Sequence, residues 1–132
     1  RYTKGLPMPL FRGSQAHVVV AHMERRRLKR LYEASLLDPF TRDDAMALGG
    51  DWKAFSRSLR QIRNQGYYIS RGELDKGVVG IAAPVFGEHQ EILGSLVLVT
   101  DERTPLQLPE TALIELVVQN ARQLSQRIEQ LA

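Results

Sequence analysis

Apolar residues recur at helical spacing through the first half of the chain, gather into strand-like runs in the middle, and return to helical spacing at the end. From Ser14, in N-cap position, Ala16, Val19, Val20 and Met23 repeat every three or four residues, although the β-branched run Val18-Val19-Val20 pulls against a helix. In ERRRLKRLYEASL, Leu28, Leu31, Tyr32 and Ala34 or Ser35 form a narrow stripe among Arg25, Arg26, Arg27, Lys29 and Arg30, a pattern of a helix with one face in solvent. The segment from Asp38 to Gly50 reads as a polar connector with room for one short helical turn at most. Asp51 then caps the clearest helix: Trp52, Phe55, Leu59 and Ile62 share one face, Arg57, Arg60 and Arg63 the other, and Gly66 ends it. Residues 1–13, with Gly5, Pro7, Pro9 and Gly13, are expected to be extended.

Tyr67 to Ser70 has strand character, Arg71 to Gly77 is a charged turn, and two apolar runs, 78–86 and 91–99, flank Gly87-Glu88-His89-Gln90, which is hairpin chemistry with glycine supplying a positive φ. If Phe86 faces Glu91, then Gly80 faces Val97, Ala82 faces Ser95 and Val78 faces Val99. The side holding Gly80 and Ala82 carries very small side chains, while Val79, Ile81, Ala83 and Val85 with Ile92, Leu96 and Leu98 make the other side apolar too, so both faces need a cover. Gly80 either lets a helix approach closely or leaves a hollow for a ligand. After Pro105 and Pro109 a long helix carries Leu113, Val117, Asn120 or Ala121, Leu124, Ile128 and Leu131 on one stripe and Ile114 and Val118 on a second. The order of elements is that of an α+β fold, a mainly antiparallel sheet flanked by helices.

Composition narrows the functional classes. A chain of 132 residues, 43% hydrophobic, suits one domain over 1–132. It has no apolar run of membrane-spanning length and no secretion signal, so no membrane partner is expected. With no cysteine, disulfides and thiolate metal sites are excluded, which suits a cytoplasmic protein. Eighteen basic against fifteen acidic residues is too mild a surplus to indicate nucleic-acid binding by itself.

Catalytic machinery is not visible. His17, His22 and His89 lack metal-ligand spacing, the serines form no GxSxG elbow, and neither GxxxxGK[ST] nor GxGxxG occurs. Glu73 and Asp75 could form a carboxylate pair, but acids are common in solvated turns. Neither a catalytic residue, a metal nor a cofactor is assigned.

Three segments, GLPMPLFRGSQAHVVVA (5–21), LRQIRNQGYYISRGELDKGVVGIAAPVF (59–86) and the spacing from there to LVLVTDERT (96–104), resemble the effector-binding domain of IclR-family bacterial transcription regulators. The resemblance is strongest in IR-x-x-GY, GE-x-x-x-GV and IAAPVF. It implies a GAF/profilin-like effector domain, here lacking its first strands and the N-terminal winged helix-turn-helix that reads DNA in the family. It also implies a small-molecule pocket at Gly80, a position often occupied by cysteine in these regulators. By the same resemblance Leu10, Phe11, Gly13, Ser14, Gln15, Ser70, Arg71, Ala82, Val97 and Val99 are effector-binding.

Members that bind small carboxylates tend to have hydroxyls where Val97 and Val99 stand and a Gly-Lys pair where Ala16-His17 stands. The expected effector is therefore a larger, more apolar molecule, such as an aromatic or otherwise apolar acid, with Arg71 or Ser14 holding one polar group. Ligand binding would shift the geometry of a homodimer or tetramer and so control DNA contacts made by the absent domain. The alternative is a ligand-free GAF-like oligomerisation module.

Overall fold

The computed structural model describes residues 10–104 and 107–131. The expected extended segment before Leu10 lies outside the described residues. Five helices and three strands follow in the order α1 (Ser14–Ala21), α2 (Arg25–Leu37), α3 (Arg42–Leu48), α4 (Trp52–Gln65), β1 (Tyr68–Arg71), β2 (Val78–Phe86), β3 (Ile92–Asp101) and α5 (Glu110–Leu131).

The helix predicted from Trp52 forms as its sequence dictates. Asp51 Oδ1 accepts a hydrogen bond from Ala54 N at 2.8 Å, and Gly66 ends the helix in the left-handed region. Its apolar face inserts Phe55, Leu59 and Ile62 into a cluster with Phe11, Val20, Leu28, Tyr32 and Ala45. Phe55 is fully buried, with Tyr32 at 4.2 Å and Phe11 edge-on at 5.3 Å between ring centroids. Tyr32 places its hydroxyl within 2.9 Å of Gly49 O, so the one polar atom of that ring donates a hydrogen bond inside the core. On α2, Glu24 caps the helix through Arg26 N and Arg27 N, and Arg25, Arg26, Arg27, Lys29 and Arg30 are all exposed.

Two helical expectations need correction. The connector after Asp38 contains α3, seven residues rather than a single turn, because Ala45 and Leu48 have an apolar cluster to join and Asp43 and Asp44 suit the positive end of the helix. On α1 the N-cap position belongs to Gly13, and Ser14 is the first helical residue, its side chain turned into the protein. Helix α1 buries Ser14, His17, Val18, Val20 and Ala21, so that of the expected stripe only Val20 is buried and Ala16, Val19 and Met23 are half-buried, because the helix touches β1, β2 and β3 on one side and α4 on another. Buried between two layers, it has no need of a single apolar stripe, and its valines are tolerated.

The strands form one antiparallel sheet in the order β1-β2-β3. Helix α1, backed by α4, lies on one face and α5 on the other. The hairpin register differs from expectation by two residues: Gly80 pairs with Val99, Ala82 with Val97 and Pro84 with Ser95, because Phe86 pairs with Ile92 rather than Glu91 at the turn and a bulge between Val85 and Phe86 adds one more residue. A shift of two preserves which residues share a face. In the turn, Gln90 rather than Gly87 takes the positive φ, 64°.

The face opposite α1 packs Ile81, Ala83 and Val85 against Leu113, Val117 and Ala121, with Ile114, Val118 and Ile128 partly buried around them. Ser125 Oγ accepts from Phe86 N, the last residue of β2, at 3.0 Å, so the end of α5 runs past the sheet and leaves Leu131 87% exposed. Leu124, expected on the buried stripe, is also exposed.

Phe55→Ala should lower the unfolding free energy by about 3–5 kcal/mol and Asp51→Ala by about 1 kcal/mol. Urea unfolding followed by Trp52 fluorescence checks both; equal effects would contradict the placement of Phe55 at the centre of the helical core.

Candidate functional site

Alternation along β2 puts Val78, Gly80, Ala82 and Pro84 on the α1 face, and pairing brings Ser70 of β1 and Val99 of β3 to either side of Gly80. Gly80 is where α1 begins against the sheet. A Cβ built on Gly80 would lie 2.6 Å from Ser14 Oγ and 3.1 Å from Ser70 Oγ, so the absence of a side chain is what lets the helix start approach. Close helix packing and a hollow, offered by the sequence as alternatives, therefore occur at the same residue.

Beside that contact the sheet face opens into a hollow of about 640 Å³, within the range of pockets for small organic molecules. Ser14, Gln15, Ser70, Gly80, Val97 and Val99, all singled out from the sequence, line it. Leu74, Asp75, Val78, Thr100 and Asp101 complete the lining. One wall is apolar, formed by Leu74 and the three valines, while the hydroxyls of Ser14 and Ser70 and the amide of Gln15 supply polar groups; Thr100, paired with Val79, turns its side chain to the other face. Asp101 is engaged by its neighbour Arg103, whose N, Nε and Nη2 donate at 2.8, 3.2 and 3.0 Å.

The remaining sequence candidates lie elsewhere. Arg71 falls on the opposite face, because strand alternation that turns Ser70 inward turns Arg71 outward, and it pairs with Glu110 at the start of α5. Phe11 is 3% exposed within the helical core, with Leu10 packed against the same cluster. Ala82 is fully buried further along β2. Gly13 acts behind the hollow through its backbone: its N–H donates to Glu73 Oε1 at 3.1 Å, and its carbonyl accepts from His17 Nδ1 at 2.6 Å.

Those last bonds belong to a polar group that sequence reasoning did not assemble. Glu73 Oε2 accepts from the Tyr68 hydroxyl at 2.9 Å, His17 Nδ1 lies 3.6 Å from Glu73 Oε1, and the His17 ring stacks on Tyr68 with centroids 4.2 Å apart. Glu73 thus holds structural partners on α1 and β1 rather than serving as half of a carboxylate pair. Burial, with the Glu73 hydrogen bond and charge added, pushes the Tyr68 phenol up to about 12. Sequence signals for the missed lining did exist: Leu74 is the one apolar side chain in the Arg71–Gly77 turn, and Val78 shares the parity of Gly80.

Among the described residues, no group of three His, Cys, Asp or Glu could hold a metal ion, and no helix is long and apolar enough to cross a membrane.

An antiparallel sheet clasped between helices, with a half-apolar hollow where one helix meets the sheet, defines the class: an α+β domain with a pocket on one sheet face. The particular family follows from sequence: the family described as bacterial transcriptional regulator IclR C-terminal matches residues 1–126, and the chain belongs to it. Pseudomonas aeruginosa HmgR superposes with a TM-score of 0.74 at 24% identity, covering 97% of this chain and 48% of that one. The C-terminal domain of E. coli transcriptional regulator KdgR gives 0.66 at 22% identity, covering 92% of this chain and 71% of that one. A double mutant of the inducer-binding domain of the PobR transcription factor from Acinetobacter, in complex with 3-hydroxybenzoic acid, gives 0.68 at 21% identity, covering 95% and 69%. The chain spans about half the length of HmgR. No curated protein sequence matches it.

Tyr68 makes the site sensitive to alkali. In the unfolded chain its phenol ionises near 10 and in the folded domain near 12, so folding binds the proton more tightly and the stability it contributes, complete below pH 10, is lost as pH rises towards 12. Unfolding measured at pH 9, 10.5 and 11.5 should show a steeper loss for the wild type than for Tyr68→Phe; equal slopes would contradict the coupling.

Proposed function

We propose that this chain is the effector-sensing domain of an IclR-type transcription regulator and that its effector occupies the hollow over Gly80. The observation that supports this most is the composition of the lining: Val78, Val97, Val99 and Leu74 make an apolar wall, and Ser14, Ser70 and Gln15 present polar groups at the start of α1. The effector that fits is an aromatic or otherwise apolar acid. Its flat body lies against the valines, and its polar end points to Ser14, Ser70 and the positive end of α1, away from Asp75. Arg71, on the far face, takes no part.

Binding acts by population. An effector that prefers one arrangement of a homodimer or tetramer shifts the balance towards it and so changes the spacing of DNA-reading heads carried elsewhere in the regulator, in the bacterial cytoplasm. A ligand-free oligomerisation module would keep the same fold with the hollow unused.

A thermal-shift screen against 3-hydroxybenzoate, other aromatic acids, aliphatic acids and short hydroxy or keto acids separates the two. A ligand at ~100 times its Kd stabilises by about 2.7 kcal/mol. Val97→Phe, which adds a ring to the hollow from a half-buried strand position, should abolish that shift while keeping cooperative unfolding. It is a cleaner control than Gly80→Phe, whose Cβ would already collide with Ser14. Absence of stabilisation by every class, or stabilisation that survives Val97→Phe, would count against the effector site.

A further inference from the structure

The turn between β1 and β2 has a glycine in the left-handed region at each end, Gly72 at φ 70° and Gly77 at φ 78°. Both ends are fixed by backbone hydrogen bonds: Gly72 N donates to Val78 O at 2.9 Å, and Gly77 O accepts from Glu102 N at 2.8 Å. Between them, Asp75 O accepts from Val78 N at 3.1 Å, which holds that part of the turn on β2, and Glu73 ties its other part to α1 and β1 through Gly13 N and the Tyr68 hydroxyl. Next to Glu73, Leu74 lies over Gly13, where an added Cβ would come within 2.7 Å of Leu74 Cδ1, and Leu74 and Asp75 line the hollow. The turn therefore has fixed ends, two glycines that tolerate large backbone changes, and a middle that forms part of the site's wall.

We propose that the Gly72–Gly77 turn is the gate of the hollow and that Glu73 is the positioning residue that latches it to α1. With the latch closed, Leu74 is seated on Gly13 and the inner end of the hollow, at Ser70 and Gly80, is shielded; Ser70 is 7% exposed. Releasing both Glu73 bonds lets the Glu73–Leu74 part of the turn swing about Gly72, while Asp75 O stays on Val78 N and the β1–β2 pairing is undisturbed. A ligand reaching Ser14 and Gly80 touches the helix start to which the latch is tied, so occupancy and closure act on one seam.

The proposal rests on the hollow being the effector site, and its test needs no effector, so the two can fail separately. The chain contains no cysteine, so single reporters are unambiguous. Ser70→Cys probes the inner hollow, Val99→Cys the exposed rim, and Ala121→Cys the α5 core, where Ala121 is 1% exposed. With N-ethylmaleimide as the probe, Glu73→Ala should raise the labelling rate of Ser70→Cys about tenfold or more, as expected for the loss of two hydrogen bonds. Glu73→Gln, which keeps one acceptor oxygen, should raise it less. Val99→Cys should react at the unshielded rate in every background, and Ala121→Cys should stay protected. An unchanged rate at Ser70→Cys, or a parallel rise at Ala121→Cys that marks loosening of the whole domain, would overturn the gate.

Discussion

The close approach of Ser14 to Gly80 is the contact on which the rest of the structure depends. A side chain at position 80 would push the start of α1 off the sheet, and α1 is the element through which the sheet and α4 are joined. Packed interiors transmit such displacements because they contain little free volume. One missing side chain thus fixes the distance between two layers and, beside the contact, leaves an uncovered part of the sheet face.

Polar groups hold that junction together. Ser14, His17 and Ser70 are buried there, and buried polar atoms destabilise a fold unless they are paired. Among the described residues no buried side-chain nitrogen or oxygen lacks a hydrogen-bond partner. Glu73 bridges the helix start and β1, and the Gly13 carbonyl accepts from both the His17 backbone N–H and its ring nitrogen. A junction built from directional bonds has a defined closed geometry and can be opened by breaking few of them. That combination supports the proposed role, in which the domain admits a ligand and then registers it.

Much of this was legible in the sequence because the physics involved is local. Asp51, the Trp52–Ile62 face and Gly66 specify α4 by capping and spacing alone. The parity of Gly80, Ala82, Val97 and Val99 survived a wrong register because two single-residue shifts add: Phe86 pairs with Ile92 rather than Glu91, and the bulge between Val85 and Phe86 moves the pairing by one more. Long-range packing was not legible. Nothing local reveals that α1 is covered on two sides, so its buried residues were misplaced, and α3 forms because neighbouring helices offer Ala45 a core. Arg71 was assigned to the pocket by resemblance, whereas alternation from Ser70 turns it away. The Glu73, His17 and Tyr68 group joins residues up to 56 positions apart (73 − 17), and no spacing rule connects them.

The central claim is that the α1 face at Gly80, and no other surface, receives the effector. Two-dimensional amide NMR of the domain titrated with 3-hydroxybenzoate, or with whichever acid stabilises it best, tests this residue by residue. The account predicts saturable shifts at Ser14, Gln15, Ser70, Gly80, Val97 and Val99, with Arg71 and the α5 face at Val117 and Ala121 unmoved. Saturable shifts centred on α5 or on the arginine-rich face of α2, with Gly80 unmoved, would contradict it.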